Sequence, residues 1–227
     1  MKNRQLRDIA REFKKFQFSE IPAAAVVSSI AIEAPGKIIF SNNEASVLIS
    51  SADEKKFIYW QIYKDSLNIW KDISRIVAST GVKNFIFIGK YPEMNDKPPQ
   101  AYIIKDHINL SGENPLIGPN NDALGSRFPD MTELYNKDLS TRLKACCESA
   151  GINTREATLM IPRDLNIRTE LEQKILMLRD DIVLSKDVFE GAIVAKHQSL
   201  RSAGLFLCET VSGQQKSTLL NNIFRMF

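Results

Sequence analysis

Apolar residues along the chain fall into short continuous runs separated by stretches in which they recur every three or four positions. AAAVVSSIAI (23–32) reads as a buried strand, and GKIIFSNNEASVLIS (36–50) reads as two strands around an Asn42-Asn43 turn. Between Asp65 and Ser79 the apolar positions Leu67, Ile69, Trp70, Ile73, Ile76 and Val77 share one helical face, with Asp65 near the helix start. NFIFIG (84–89) is the kind of short apolar run that a sheet buries on both faces. After QAYIIKDHINL comes a long polar loop, then a helix over roughly 131–150 that Gly151 ends. ATLMIP (157–162) and DDIVLS (180–185) read as strands on either side of a helix from about Arg168 to Arg179. A helix near 187–201, the strand GLFLCE (204–209) and a final short helix follow.

Strands alternating with helices predict a sheet with parallel portions covered on both faces, and the hairpin near Asn42 makes that sheet mixed. The expected fold is therefore α/β: a single-domain three-layer α/β/α arrangement over residues 1–227, with a central mixed β-sheet flanked by helices and an N-terminal helix over 1–17.

Composition narrows the function classes. The chain is 44% hydrophobic and 25% charged, ordinary values for a globular protein. The net charge of +3 is spread among interleaved acids and bases, so nucleic acid is not an expected partner. The N-terminal stretch MKNRQLRDIAREFKKF holds six basic and two acidic residues, which suits a solvated amphipathic helix. No apolar run reaches the length of a membrane span, and no apolar segment follows the basic N-terminus as in a signal peptide. Cys146, Cys147 and Cys208 are odd in number, which argues against a disulfide framework. Neither His has a ligand-like partner at metal spacing. These readings point to a reduced, cytoplasmic protein with no metal and no cofactor.

The stretch KDHINLSGENPLIGPNNDALGSRFPDMTELYN (105–136) carries the most information. A structureless loop of this length in a compact domain is usually functional or disordered. DHINL, N-P-L-x-G-P-N and RFP-x-M with a Tyr four residues on resemble the trimeric class of purine nucleoside phosphorylases. STGVKNFIFIG (79–89), T-x-x-E at Thr169 and Glu172, and FEGAIVAKHQSLRSAGLFL (189–207) are similar to further segments of that family.

The resemblance implies the family's fold and an active site that can be compared position by position. Phosphorolysis needs an anion cradle of backbone N–H groups with hydroxyl or cationic side chains. The family builds it from a G-S-G turn after the first strand, a His in a second turn, an Arg after the third strand and an N-A-A-G turn. Here the resemblance places Ser28 and Ser29 in the first turn and Ala34 in the second. It places Ala52 or Asp53 in the third position and Ile88-Gly89-Lys90-Tyr91 in the last. On the base side it puts Arg168 where the family has a Glu, Thr210 where it has an Asn, and Lys186 near a Met under the ribose. The chain stops at Phe227, before the family's His-bearing loop and full C-terminal helix. Phe128 matches an aromatic that crosses a subunit interface. His107 and His197 read as core or loop-anchoring residues.

With these positions changed, the resemblance implies a catalytically degenerate relative that acts as a structural or regulatory subunit. Its expected partners are copies of itself in a homotrimer, or an active paralogue in a heteromer. The alternative is a ligand binder or enzyme whose pocket, made cationic by Arg168 and Lys186 with Thr210, Ser28 and Ser29 beside them, takes a nucleoside-like or anionic small molecule. Ordinary phosphorolysis of inosine or guanosine is the third reading.

Overall fold

The computed structural model describes residues 11, 13, 18, 20–63, 69–91, 99–164, 170, 174, 179 and 181–227. Its strands are β1 (Ala24–Ser28), β2 (Lys37–Ser41), β3 (Ala45–Ala52), β4 (Lys55–Ile62), β5 (Asn84–Lys90), β6 (Ala101–Leu110), β7 (Thr154–Pro162), β8 (Ile182–Leu184) and β9 (Arg201–Leu207). The helices considered below are α1 (Ile69–Ala78), α2 (Lys137–Ser149), α3 (Phe189–His197) and α4 (Gly213–Arg225). All nine strands join one sheet in the order β2-β3-β4-β1-β5-β9-β6-β7-β8.

Side-chain alternation along β1 divides the molecule into layers. Ala25 and Val27 face a cluster with Ile69, Trp70 and Ile73 of α1 and Phe189, Ala192 and Ile193 of α3. Ala24 and Val26 face the opposite cluster, with Leu139 and Leu143 of α2 and Leu219, Leu220 and Ile223 of α4. A strand's side chains point alternately to the two faces, so a strand buried on both must be apolar throughout. Each fully buried Leu, Ile or Val contributes about 1.5–3 kcal/mol. The result is the expected three-layer α/β/α mixed sheet.

Parallel pairing joins β1 to β4 and β5, and β5 to β9. β6 runs antiparallel to β9, and β7 and β8 follow β6 in parallel. The C-terminal ends of β1, β4, β5 and β9 thus lie on one edge of the sheet. Open α/β sheets bind ligands at such an edge.

Several boundaries differ from the pattern's expectation. β4 was not expected at all. It pairs antiparallel with β3 through the turn Ala52–Lys55, where Asp53 and Glu54 have φ of 48° and 65°. Two positive φ values at the turn centre suit the right-handed twist of a hairpin, here without the usual Asn-Gly. α2 starts at Lys137, six residues later than the apolar period suggests, because Asn136 caps it by accepting from the Leu139 N–H. β9 starts at Arg201, where the expected helix was to end. Of the expected N-terminal helix, residues 11 and 13 are helical, and Phe13 packs on Trp60 at 5.7 Å. Most of the expected helix over 168–179 lies outside the described residues.

Candidate functional site

At the shared C-terminal edge, β1 leads into Ser28 and Ser29, and β5 ends at Lys90. The Ser29 hydroxyl donates to Asp187 Oδ2 at 2.7 Å. The Lys90 backbone N–H points at the same oxygen from 3.5 Å, a longer polar contact. Asp187 is only 4% exposed. It sits between β8 and α3 and is held by its own N–H, which donates to the Ser185 hydroxyl at 3.1 Å. Val188 follows it with φ of 75° and leads into α3 with no side-chain cap. A carboxylate therefore bridges the ends of β1 and β5, two of the four places where the resemblance puts the anion cradle.

Ser28 is not free to join it. Its hydroxyl donates to the Ile30 carbonyl at 2.7 Å and accepts from the Ile30 N–H at 3.1 Å, turning back on its own loop. The buried Gln61 amide fills the neighbouring space. Gln61 Oε1 accepts from the Ile32 N–H at 3.2 Å and the Tyr59 hydroxyl at 2.7 Å, and Nε2 donates to the Ser28 carbonyl at 3.2 Å. This network fixes residues 28–32 against β4, since leaving any one of these buried groups unpaired costs about 1–3 kcal/mol.

The remaining expected ligand residues do not gather at this point. Lys186 is exposed, and its Nζ donates to the Arg163 carbonyl beyond the end of β7. Thr210 is exposed in the turn between β9 and α4. Arg168 lies outside the described residues. The third-strand position is a correction. In register, Ala24 pairs with Phe57 and Ser28 with Gln61, so the turn holding Ala52 and Asp53 lies at the N-terminal end of β1. At about 3.3 Å per residue that is roughly 20 Å from Ser29. Ala34 packs against the α2–α4 side of the sheet.

The loop over 111–136 is ordered by side-chain turns. Asn114 Oδ1 accepts from the Leu116 N–H, Asn121 Oδ1 from the Ala123 N–H and Asp130 Oδ1 from the Thr132 N–H. Asn and Asp are enriched in such loops because their side chains can bond the backbone two residues on. Both histidines hold the loop. His197 Nε2 lies 3.3 Å from Asn120 Oδ1, and His107 Nδ1 lies 3.4 Å from the buried Tyr135 hydroxyl. Burial pushes the His107 imidazole below its usual value, with the Asp106 charge partly opposing. In the same loop Phe128 is 86% exposed and Ile117 77%.

Cys146, Cys147 and Cys208 are buried. Burial first, then the neighbouring Cys146 and Glu148, pushes the Cys147 thiol up to about 12, leaving it protonated and unreactive. Among the described residues, no group of three His, Cys, Asp or Glu side chains is placed to hold a metal ion. No helix of the described residues is long and apolar enough to cross a membrane.

Residues 74–188 match the family described as the phosphorylase superfamily. The chain belongs to that superfamily. Two similar proteins are both named purine nucleoside phosphorylase 1. The one from Geobacillus stearothermophilus is 29% identical over 202 residues, covering 88% of this chain and 72% of that protein. The one from Bacillus subtilis (strain 168) is 30% identical over 133 residues, covering 58% of this chain and 49% of that protein. Among solved structures, a Schistosoma mansoni purine nucleoside phosphorylase in complex with acetate superposes with a TM-score of 0.75 at 18% identity. That match covers 98% of this chain and 96% of the other and speaks for the fold.

Within this phosphorylase-superfamily site, Asp187 is the residue that sequence comparison passed over. Counting back from His197 leads to Lys186, one position past it. The signal that could have found it is an acid directly before an uncapped helix in KDVFEG.

Proposed function

We propose that this chain is a phosphorylase-superfamily protein that does not carry out phosphorolysis and serves as a structural or regulatory subunit of an oligomer. The observation that carries this reading is the Asp187 carboxylate between Ser29 and Lys90. A phosphate placed there would meet a buried negative charge. Two unit charges about 4 Å apart repel by about 4 kcal/mol at an effective dielectric of 20. The exposed Phe128 loop supports the oligomeric part of the reading, and the three buried cysteines support a cytoplasmic setting.

Ordinary purine nucleoside phosphorolysis is the second reading, favoured by the names of the relatives. The third is a binder of a nucleoside-like or anionic molecule at a pocket formed with Arg168, Lys186 and Thr210. A coupled assay with inosine and guanosine separates the first two readings. Base release that does not exceed the enzyme-free rate with or without phosphate is the expected result, and phosphate-dependent release would establish the second. A thermal-shift panel of nucleosides, nucleotides and sugar phosphates addresses the third, since a specific ligand stabilises by RT ln(1 + [L]/Kd).

A further inference from the structure

We infer that the outer groove between α2 and α4 binds a small aromatic anion: a flat ring bearing one carboxylate or phosphate group, held by Arg142 and Arg225 over a floor of Cys146 and Met226. The site uses none of the residues around Asp187 and is independent of the proposed function.

The groove encloses about 360 Å³, within the range of small-molecule sites and at its lower end. Spacing along two helices builds it. Arg142, Cys146 and Ser149 stand at i, i+4 and i+7 of α2, and Asn222, Arg225 and Met226 at i, i+3 and i+4 along α4 and its cap, so each set shares one helical face. Asn222 Nδ2 donates to the Cys146 carbonyl at 3.2 Å and ties the two walls together. Cys146 Sγ lies 3.6 Å from Met226 Sδ, which makes a soft floor of two sulfurs. Sulfur packs favourably against aromatic rings. Burial raises the Cys146 thiol above its usual range despite the Arg142 charge, so the floor carries no charge of its own.

The walls are cationic. α4 holds Lys216 and Arg225 and no acid, and Arg225 is exposed with no side-chain ion pair among the described residues. The Arg142 guanidinium stacks 5.3 Å from the Phe227 ring centre. Stacking occupies its face and leaves its in-plane N–H groups to meet a planar oxyanion. The opposing charges are weaker. Asp138 Oδ2 stands 3.9 Å from Arg142 on a side chain 62% exposed, where solvent screens it. The C-terminal end of α4 adds about half a negative charge, against two full positive ones.

The experiment titrates the full chain, labelled with carbon-13 at its methionine methyls, with benzoate and with phenyl phosphate. The Met226 methyl, assigned with Met226→Leu, should shift under the ring current of a bound ring. At least one probe should saturate that shift with a Kd on the order of 1 mM, and the tighter one names the charged group. Benzamide, acetate and inorganic phosphate should bind more weakly by about tenfold or more, since each lacks the charge or the ring. Arg142→Gln and Arg225→Gln should each weaken the better probe by about tenfold, the loss of one hydrogen bond to a charged group. If Arg142→Gln fails to fold, the exposed Arg225→Gln carries the test.

A Met226 methyl that neither probe moves well above that Kd would overturn the inference. So would binding that the folded arginine variants retain in full. Acetate or inorganic phosphate matching the probes would mark an adventitious ion only, and benzamide matching them a plain apolar contact; either result removes the site.

Discussion

Val188 and Asp187 show how a single backbone conformation aims a side chain. A β-branched residue at φ of 75° costs of the order of 1–3 kcal/mol, and here that strained residue directly follows the carboxylate bridging β1 and β5. No periodic pattern announces such a contact, because its partners are 158 positions apart. The histidines were easier to read, since neither has a nucleophile or a metal-spaced partner in sequence, and each is found holding the loop. His107 also carries a pH signature. Its folded-state pKa lies below the ordinary 6.5, so the fold prefers the neutral ring while the unfolded chain takes up a proton first. The stability it contributes is present above 6.5 and is lost as pH falls through that value toward the lower folded pKa. Compared with His107→Gln, the wild-type melting temperature should therefore decline between about pH 7.5 and about pH 5.5. Parallel melting curves for the two proteins across that interval would refute the assignment.

At the scale of elements, strands with unbroken apolar runs were plain in the sequence, and β5 differs from its expected span by one residue. β4 was missed for two physical reasons. KKFIYWQI is buried along nearly its whole length and shows no alternation, and its turn uses Asp-Glu where Asn-Gly would signal a hairpin. The long loop was read as polar and irregular, whereas it is pinned onto α3. A Cβ at Gly125 would lie 1.9 Å from the His197 carbonyl oxygen, so neither side can yield without moving backbone. Gly125→Ala should destabilise the protein by about 1–3 kcal/mol. Limited proteolysis should then cut within 111–136 before the sheet unfolds. If cleavage stayed at wild-type rates, the loop would not depend on that close approach.

For the whole molecule, the three-layer architecture followed from the alternation of strand and helix, while strand order did not. Order is set by which edges meet after the chain has folded, and no local pattern encodes that. The surface is likewise a property of the assembled molecule. Ile108, Leu110, Ile117, Leu124 and Phe128, all exposed, lie within or beside the loop. Large apolar side chains left exposed form an interaction surface where they join into a patch. Phe128→Asp should leave melting nearly unchanged while shifting the species seen by size-exclusion chromatography with light scattering toward the monomer. An unaltered mass, or a wild type that is already monomeric, would remove the oligomeric part of the proposal.

The position of β9 bears on how this protein is made. Residues 201–207 lie between β5 and β6, so among the described strands the two halves of the sheet meet through one that leaves the ribosome after the eight others. Until it emerges, β5 and β6 present unpaired edges, which are templates for pairing with other chains. Synthesis of this protein therefore passes through a stage in which most of the fold exists in two unconnected parts, and chaperone demand should be greatest just before Arg201 appears.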